Sequence, residues 1–305
     1  MTILVSGLIN IETTLRVEGF PIHYHPVRYP FFGARTTVSG VGYNIAKALT
    51  TLGDTARFAS LIGHDPNGKL AQNALEADCI SGEYVLDTLE QTPQSVILYD
   101  DSGRRQINVD LKDIQERSYP SEQFEAALAG CSLAALCNIN FSRPFLARAK
   151  KAGVRVATDV HTIGDLDDSY NRDFMAHADI LFMSDEHLPC LPEEWAGRVQ
   201  SQYGNAIIVI GLGAQGALLS VKADGFMERI PGVTTRPVVN TIGAGDALFS
   251  AFLHGYLQTG SPYEAIRTAM VFASYKVGAS GAADGFLTSP ALDVLCGTIY
   301  KNQRN

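Results

Sequence analysis

What the chain lacks already narrows its function. Its 305 residues contain no Cys-x-x-Cys pair, which excludes the common zinc and dithiol motifs. They contain no run of Lys or Arg, and with a net charge of -8 a nucleic-acid-binding surface is not expected. No apolar stretch approaches the length that spans a membrane, so a membrane partner is not expected either.

Cysteine is scarce, and its spacing does not suggest disulfide bonds. The five cysteines are odd in number and widely separated: Cys79, Cys131, Cys137, Cys190 and Cys296. We expect them to be buried thiols. The N-terminal residues 1–7 also lack the basic region of a signal peptide, so we expect a protein of the reducing cytoplasm.

The most informative stretch is Asn-Thr-Ile-Gly-Ala-Gly-Asp, residues 240–246. Apolar residues follow it at helical spacing, from Leu248 to Tyr256, so the glycines are predicted to lie at the start of a helix. The first N–H groups of a helix lack partners and favour an anion. Beside a bound phosphate, the carboxylate of Asp246 would accept a proton from an attacking hydroxyl. The stretch indicates phosphoryl transfer, although a tight turn with Asp246 stabilising the helix explains it equally well.

Polar residues follow the first apolar run. Residues 3–8 predict a buried strand, and Asn10 and Glu12 come after it, two apart, with their side chains on the same side. Ligands gather beyond the carboxyl ends of strands in open α/β sheets. A turn at the strand end with a solvated Glu12 is the alternative.

Glycines also precede a second predicted helix. Residues 39–44 read Ser-Gly-Val-Gly-Tyr-Asn and lead into apolar residues at helical spacing, from Ile45 to Leu52, before Gly53 closes the helix. Gly40 and Gly42 therefore offer backbone donors and room for a ligand.

These segments together resemble the signatures of the ribokinase-like, or PfkB, family of carbohydrate and nucleoside kinases. Gly-Ala-Gly-Asp resembles the C-terminal signature, and Gly40, Gly42 and Asn44 with the later Leu52-Gly53 resemble the N-terminal one. The resemblance implies an α/β fold, a three-layer α/β/α sandwich with a mostly parallel central sheet and a small β lid. It implies one domain over residues 1–305, with lid segments at about 13–38 and 79–109.

The resemblance also implies roles for individual residues. Asp246 would be the general base, and the backbone of Gly243, Ala244 and Gly245 would form the anion hole. The acceptor would be held by Asn10, Glu12, Gly40, Gly42 and Asn44. The nucleotide would lie against Gly211, Gly213, Gly216 and Thr241. ATP and Mg2+ are implied, and the family places a monovalent cation such as K+ near residues 279–285.

The chain departs from the family pattern in several places. Glu12 stands where Asp is usual, and Ser39 where Gly is usual. Ser184 and His187 replace an Asn and a Glu that the family associates with Mg2+, which leaves the metal ligands undefined. Asn240 replaces an Asp, which weakens the expectation of a potassium site.

The order of predicted elements supports the α/β fold. From Phe124 onward, predicted helices and strands alternate, and this order is typical of a parallel sheet covered by helices. Residues 13–38 alternate only partially and are interrupted by prolines, which predicts a few twisted strands. Asp100 to Gly103 predicts a hairpin turn. Arg105 could reach the substrate from this hairpin, but a solvated Arg105 is favoured.

A Gly-x-Gly-x-x-Gly pattern at residues 211–216 invites a dinucleotide-binding interpretation. That motif has to open a helix, whereas residues 217–221 have a β-like pattern and run into a turn, so NAD binding is not expected. In the ribokinase-like family, a similar glycine-containing hairpin contacts ATP.

The sequence thus predicts an ATP-dependent kinase that phosphorylates a hydroxymethyl group of a sugar or sugar-like metabolite. A nucleoside kinase of the adenosine or pseudouridine type is the alternative within the family, because aromatic residues lie in the lid and in the acceptor motif: Tyr24, Tyr29, Phe31, Phe32 and Tyr43. A sugar-binding homologue without turnover is a third interpretation, motivated by Ser184 and His187. The resemblance further implies a homodimer formed through the β lid.

Overall fold

The computed structural model describes residues 1–302, and the side chains of residues 1–300. Its strands are β1 (Thr2–Ser6), β2 (Asn10–Arg16), β3 (Ala34–Ser39), β4 (Thr55–Gly63), β5 (Val85–Leu89), β6 (Gln94–Tyr99), β7 (Arg105–Asp110), β8 (Leu133–Leu136), β9 (Arg155–Thr162), β10 (Ile180–Ser184), β11 (Ile207–Gly211), β12 (Gly216–Val221) and β13 (Phe226–Pro231). Its helices are α1 (Val41–Thr51), α2 (Pro66–Ala77), α3 (Ser121–Leu128), α4 (Phe145–Lys151), α5 (Arg172–His177), α6 (Pro192–Tyr203), α7 (Ala244–Thr259), α8 (Pro262–Lys276) and α9 (Ser289–Asn302).

Nine strands form the large sheet, in the order β13-β12-β11-β10-β9-β8-β1-β4-β5. The strands from β11 to β5 pair in parallel, whereas β12 and β13 extend one edge of the sheet in antiparallel fashion. Helices alternate with most of the parallel strands, as the order of predicted elements required.

The large sheet separates two hydrophobic cores. Successive side chains of a strand point to opposite faces, so Ile3 and Val5 of β1 enter one core and Leu4 enters the other. Helices α1, α2, α7, α8 and α9 contribute to the first core, and α3 to α6 contribute to the second. The predicted three-layer α/β/α sandwich is therefore confirmed. Within the described residues, no helix is long and apolar enough to cross a lipid bilayer.

A four-stranded sheet, here called the small sheet, has the order β3-β2-β6-β7. Strand β2 pairs in parallel with β6, and the two outer pairings are antiparallel. The predicted hairpin joins β6 to β7. Its turn is stabilised by Asp100, whose Oδ1 accepts hydrogen bonds from the N–H groups of Ser102 at 3.0 Å and Arg104 at 3.1 Å.

The strand predicted over residues 3–8 is too long. Strand β1 ends at Ser6, and Asn10 opens β2 of the small sheet, so Asn10 and Glu12 do not continue the first strand. The break comes at Gly7, where a Cβ would lie 2.8 Å from the Cα of Gly42 and 2.5 Å from the sulfur of Cys137. Glycine allows this close approach, and the chain leaves the large sheet there.

The segments predicted for the lid also differ from the structure. Residues 17–33 contain no strand, because prolines recur in them and remove the hydrogen-bond donors that a sheet needs. Strand β5, within the predicted lid segment 79–109, pairs with β4 in the large sheet instead. The small sheet thus comprises residues from 10–16, 34–39, 94–99 and 105–110.

All five cysteines are free thiols. Cys131 and Cys137 are buried, as expected, and Cys190 and Cys296 are partly buried. Cys79 is exposed, so the expectation of a buried thiol is wrong there. It follows α2 and has a positive φ of 57°, which places it in a surface turn.

Gly42 holds α1 close to the end of β1. A Cβ at this position would lie 2.5 Å from the carbonyl carbon and 2.7 Å from the Cα of Gly7, and 2.8 Å from the ring of Phe58. Two of these three neighbours are backbone atoms, which cannot rotate away. The close packing therefore fixes the position of α1 relative to the end of β1. It thereby also fixes the positions of the side chains at the N-terminal end of α1.

We expect Gly42→Ala to destabilise the protein by about 1–3 kcal/mol, the usual cost of overpacking a core. Gly197→Ala is the matched control, because Gly197 is also helical but a Cβ there meets nothing within 4 Å. The control should be neutral or about 0.5–1 kcal/mol more stable, since alanine favours helix. Denaturant unfolding of both variants measures the difference, and equal stability of the two would contradict this account of α1.

Candidate active site

A cavity of about 740 Å3 lies between the small sheet and the carboxyl ends of the parallel strands. The ends of β9, β10 and β11 line one side, the small sheet lines another, and the starts of α1 and α7 close the rest. This edge of an open α/β sheet is where ligands bind in such folds. The predicted site residues that line the cavity are Asn10, Glu12, Gly40, Asn44, Gly211, Gly213, Gly216, Thr241, Gly243, Ala244, Gly245 and Asp246.

Gly42 is the predicted site residue that the structure places elsewhere. It is buried beneath the cavity wall, against Gly7 and Phe58. Gly40, by contrast, lines the cavity and has a φ of 107°, and a Cβ there would lie 2.6 Å from the carbonyl oxygen of Leu8. Gly40 therefore permits the turn before α1, whereas Gly42 permits the close packing of α1 against the end of β1.

The turn before α7 presents backbone donors to the cavity. Gly243 has a φ of 75°, and a Cβ there would lie 2.4 Å from the carbonyl oxygen of Ala282, so glycine is required. The N–H of Ala244 is not free, because it donates to the carbonyl of Thr241 at 3.2 Å. Among the described residues, the N–H groups of Gly243 and Gly245 have no acceptor. These two amides, at the positive end of the α7 dipole, are suited to bind an anion.

Asp246 lies in the first turn of α7 and is only 8% exposed. Its Oδ2 accepts a hydrogen bond of 2.7 Å from Nδ2 of Asn44, which belongs to α1. Burial raises the pKa of Asp246, and the hydrogen bond from Asn44 acts in the opposite direction. Among the charged neighbours, His161 and Lys276 lower that pKa and Asp159 raises it. A carboxylate with a raised pKa is a stronger proton acceptor near neutral pH.

Asn10 and Glu12 lie on the same side of β2, and both are buried. Asn10 donates from Nδ2 to Oγ of Ser95 at 3.1 Å, and Glu12 Oε2 accepts from Oγ of Ser39 at 3.0 Å. The remaining oxygens, Asn10 Oδ1 and Glu12 Oε1, are buried and have no partner among the described residues. Unpartnered buried acceptors are costly, and these two oxygens are suited to accept hydrogen bonds from a ligand.

Ser39 is a further residue of the site. In the sequence it is notable only as a departure from the glycine that is usual in the family. Its hydroxyl donates to Glu12 and also lies 3.4 Å from Oδ1 of Asn44. Burial raises the pKa of Glu12, and the Ser39 hydrogen bond lowers it. The hydroxyl of Ser39 therefore offsets part of the effect of burial on the Glu12 carboxyl group.

The glycines predicted to bind the nucleotide lie at the end of β11 and directly after it. Gly211 ends that strand, Gly213 lies in a single helical turn, and Gly216 opens β12. Because a strand rather than a helix follows the glycines, the rejection of a dinucleotide-binding motif is supported. Thr241 lies across the cavity, where its hydroxyl accepts a hydrogen bond from the guanidinium of Arg105. Arg105 thus lines the cavity while it remains exposed, so it is solvated, as expected, and also contacts a residue predicted to bind the nucleotide.

Oxygen ligands for Mg2+ are available at the ends of β9 and β10. Asp159, Asp185 and Glu186 line the cavity, together with the hydroxyl-bearing Ser184. Among the described residues, no three His, Cys, Asp or Glu side chains are grouped closely enough to hold a metal ion by themselves. Mg2+ commonly keeps several waters and binds through one or two carboxylates plus substrate phosphates. The carboxylates present fit that mode of binding, and Asp159 Oδ2 lies 3.9 Å from where a Cβ of Gly245 would be.

Comparison with known proteins shows which family this chain resembles. The family model described as pfkB family carbohydrate kinase matches residues 2–289. An ATP-dependent ribose-1-phosphate kinase of Halopiger xanaduensis is 29% identical over 287 residues, which are 92% of this chain and 93% of that protein.

Solved structures resemble the whole fold. A microbiome-derived acarbose kinase superposes with a TM-score of 0.87 at 26% identity, over 97% of this chain and 98% of that one. A nucleoside kinase of Burkholderia thailandensis in complex with inosine has a TM-score of 0.77 at 20% identity, over 99% of each chain. At that identity the second likeness shows the fold alone.

The raised pKa of Glu12 leads to a stability prediction for the protein without ligands. A carboxyl group with a raised pKa binds its proton more tightly when folded, so stability falls as pH rises through that pKa. Glu12→Gln keeps an acceptor for Ser39 but removes the charge, so we expect a higher melting temperature at pH 8. The gain should be smaller at pH 5, because protonation of the wild-type carboxyl increases as the pH falls.

Thermal unfolding at both pH values measures this effect. Glu90→Gln is the control, because Glu90 is exposed and the same change should have little effect at either pH. A melting temperature at pH 8 that is lower for Glu12→Gln than for wild type would show that the charge at position 12 stabilises the fold.

Proposed function

Since the chain belongs to the pfkB family of carbohydrate kinases, we propose that it transfers the γ-phosphoryl group of ATP to a hydroxymethyl group of a sugar or sugar-like metabolite. One observation carries this proposal. A single cavity contains a buried carboxylate, two free amide donors at a helix N-terminus, and two unpartnered acceptors for hydroxyl groups. Proton acceptor, phosphate site and polyol site are thereby combined.

The acceptor binds beneath the small sheet. Its hydroxyl groups donate to Asn10 Oδ1 and Glu12 Oε1, which have no partner within the part of the chain that the structure describes. Asn44 is shared between this subsite and the base, because its amide nitrogen donates to Asp246. The reacting hydroxymethyl group lies next to Asp246, at the entrance to the turn before α7.

Asp246 takes the proton of that hydroxyl as its oxygen attacks the γ-phosphorus. The bond from the γ-phosphorus to the bridging oxygen breaks, ADP leaves, and the phosphorylated acceptor remains. The N–H groups of Gly243 and Gly245 stabilise negative charge on the phosphoryl oxygens during transfer. The raised pKa of Asp246 suits this role, because proton transfer to a more basic carboxylate is more favourable.

ATP extends from this turn toward the hairpin of β11 and β12. Gly211, Gly213 and Gly216 leave room for it, and Thr241 lies beside the phosphate end. When bound, Mg2+ would supply positive charge that neutralises the phosphate groups, and carboxylates that line the cavity would hold it. Asp159 is the carboxylate best placed to receive it, through water or directly, because it lies beside Gly245.

The small sheet acts as a lid over the acceptor. The small sheet carries Asn10, Glu12 and Arg105. Arg105 connects the sheet to Thr241, in the turn before α7. Closure of such an element excludes water, which limits the hydrolysis of ATP. The free thiols of the chain support the further proposal that this reaction takes place in the reducing cytoplasm.

A sugar acceptor is favoured over a nucleoside because the aromatic residues that suggested base stacking lie elsewhere. None of Tyr24, Tyr29, Phe31, Phe32 and Tyr43 lines the cavity. The first four are exposed, and Tyr43 is a buried residue of α1 whose hydroxyl donates a hydrogen bond to Asp78. The non-catalytic interpretation is disfavoured because a protein that only binds sugar needs no buried base beside free amide donors.

A second copy of the chain covers these exposed aromatic residues in the proposed homodimer. Tyr24 is 88% exposed, Phe31 77% and Phe32 is fully exposed, and all belong to the segment that joins β2 to β3. Apolar patches of this kind mark interaction surfaces. Pairing through the small sheet would bury them.

Asp246→Asn tests the proposed base. We expect the rate of ADP formation to fall by about 10²–10⁴-fold, the usual contribution of a general base, while the affinity for ATP changes little. The assay is ADP release from ATP and Mg2+ across a panel of sugars, sugar phosphates and nucleosides.

Two outcomes of this panel would contradict the proposal. If only nucleosides gave ADP, the sugar acceptor would be wrong. If acceptors stabilised the wild-type protein against heat but none gave ADP, the protein would be a binding protein rather than a kinase.

The dimer has its own test. Changing Phe31 and Phe32 together to Asp places charges in the proposed interface, so we expect sedimentation velocity to show monomers where the wild type shows dimers. Leu191→Asp is the matched control, because Leu191 is 68% exposed but lies far from the small sheet in the chain, before α6. A wild type that stays monomeric at all concentrations would remove the dimer from the proposal.

A further inference from the structure

Lys276 is a completely buried cation next to the turn before α7. It is the last residue of α8, and its side chain has no exposed surface. A buried ammonium is costly unless it is paired and hydrogen-bonded. Here it donates to the carbonyl oxygen of Ile242, the residue directly before Gly243. It does not line the cavity, so it contacts the turn from the protein side.

The surrounding loop is where a monovalent cation was expected. Such a cation needs a cage of carbonyl and carboxylate oxygens. The carbonyl of Ile242 is occupied by Lys276, and the carbonyl of Ser280 accepts a hydrogen bond of 2.7 Å from Nδ2 of Asn240. The other side-chain atom of Asn240, Oδ1, accepts from the N–H of Ile242 at 3.1 Å.

Two carbonyl oxygens of this region, those of Ile242 and Ser280, therefore already accept hydrogen bonds from the protein. An aspartate at position 240 would offer two oxygens to a cation, whereas the amide of Asn240 offers a donor to Ser280 instead. The residues present do not fit a potassium site. They fit a site whose positive charge is built into the chain.

We propose that the ammonium of Lys276 is an internal cation that replaces a bound monovalent ion, holds the turn before α7 in its anion-binding conformation, and makes the enzyme independent of K+. This inference rests on the proposed kinase function. Lys276 is a positioning residue, because it acts through the carbonyl of Ile242 on the adjacent amide of Gly243.

The charges around Lys276 are consistent with this role. Burial lowers the pKa of Lys276 to about 8, whereas the carboxylates of Asp246, Asp284 and Glu12 act to raise it and Arg105 acts to lower it. The lysine is thus mostly protonated at neutral pH. Its charge also acts to lower the pKa values of Glu12 and Asp246, against the effect of their burial. A phosphoryl group arriving at Gly243 and Gly245 adds negative charge to the same neighbourhood.

The first test uses the wild-type enzyme. ADP formation is measured in tetramethylammonium chloride, and then with increasing KCl or NaCl at constant ionic strength. We expect kcat to change by less than about twofold, because no site is left for the added ion. Saturable activation of several-fold by K+ would overturn the proposal.

The second test removes the internal cation. Lys276→Met keeps an unbranched apolar side chain of similar length, and we expect kcat to fall by about 10²-fold, as for other lost anion-hole support, with a smaller change in the acceptor KM. Lys222→Met is the matched control, because exposed Lys222 donates to a backbone carbonyl, that of Gly204, outside the site. Wild-type kcat in Lys276→Met would overturn the proposal.

Chemical rescue separates a cationic role from a structural one. Lys276→Ala leaves a cavity next to the carbonyl of Ile242, so ethylammonium or K+ should restore part of the lost rate. A lysine needed only for packing would not be replaced by a small cation, so equal rates with and without these ions would count against the proposal. If neither variant folds, as judged by thermal unfolding, the wild-type titration decides.

Failure of the kinase proposal has a different signature. If no acceptor gives ADP in any salt, the proposed function fails, and calorimetric titration of the wild type with ATP then tests the inference alone. ATP affinity that is equal in tetramethylammonium and potassium buffers supports an internal cation. Affinity that rises with K+ overturns it.

Discussion

The hydrogen bond from Asn44 to Asp246 is the contact on which the site depends. It joins residues 202 positions apart in the chain and links the first turn of α1 to the first turn of α7. Both helices start at the same edge of the large sheet, so the bond fixes the acceptor side of the cavity relative to the phosphate side. The bond also supplies a hydrogen-bond donor to the carboxylate of Asp246, whose burial limits its contact with water. Ser39, Glu12 and Lys276 are arranged around this contact.

The site contains several polar groups whose burial is unfavourable. Burial raises the pKa values of Glu12 and Asp246, and Asn10 Oδ1 and Glu12 Oε1 lack partners. Each of these costs free energy that a purely structural core would not contain. The surrounding cores are ordinary by comparison, since apolar residues fill both faces of the large sheet. Hydrogen bonds from a polar ligand would satisfy these groups, so binding would recover part of the free energy that their burial costs.

The sequence allowed prediction where the chemistry is local. Gly243 and Asp246 belong to one short stretch whose spacing places them at a helix start, and the structure has α7 begin at Ala244. Asn10 and Glu12 were associated with the wrong strand, because a close contact between Gly7 and Gly42 ends β1 early. Ser39 and Lys276 carried no local signal. Their partners, Glu12 and Ile242, lie 27 and 34 positions away, and only the folded chain brings them together.

Strand β2 separates acceptor recognition from group transfer. Asn10 pairs with Ser39 of β3, and Glu12 pairs with Ser95 of β6, so the polyol-binding side chains are spaced by the pleat of the small sheet. Alternate positions of these strands can change without altering their register, because only every second side chain points to the cavity. The proposed base lies on α7, and the two amide donors belong to the start of α7 and to Gly243 directly before it, outside that sheet. Substitutions at the cavity-facing positions of the small sheet would therefore change the proposed acceptor site without altering the turn before α7.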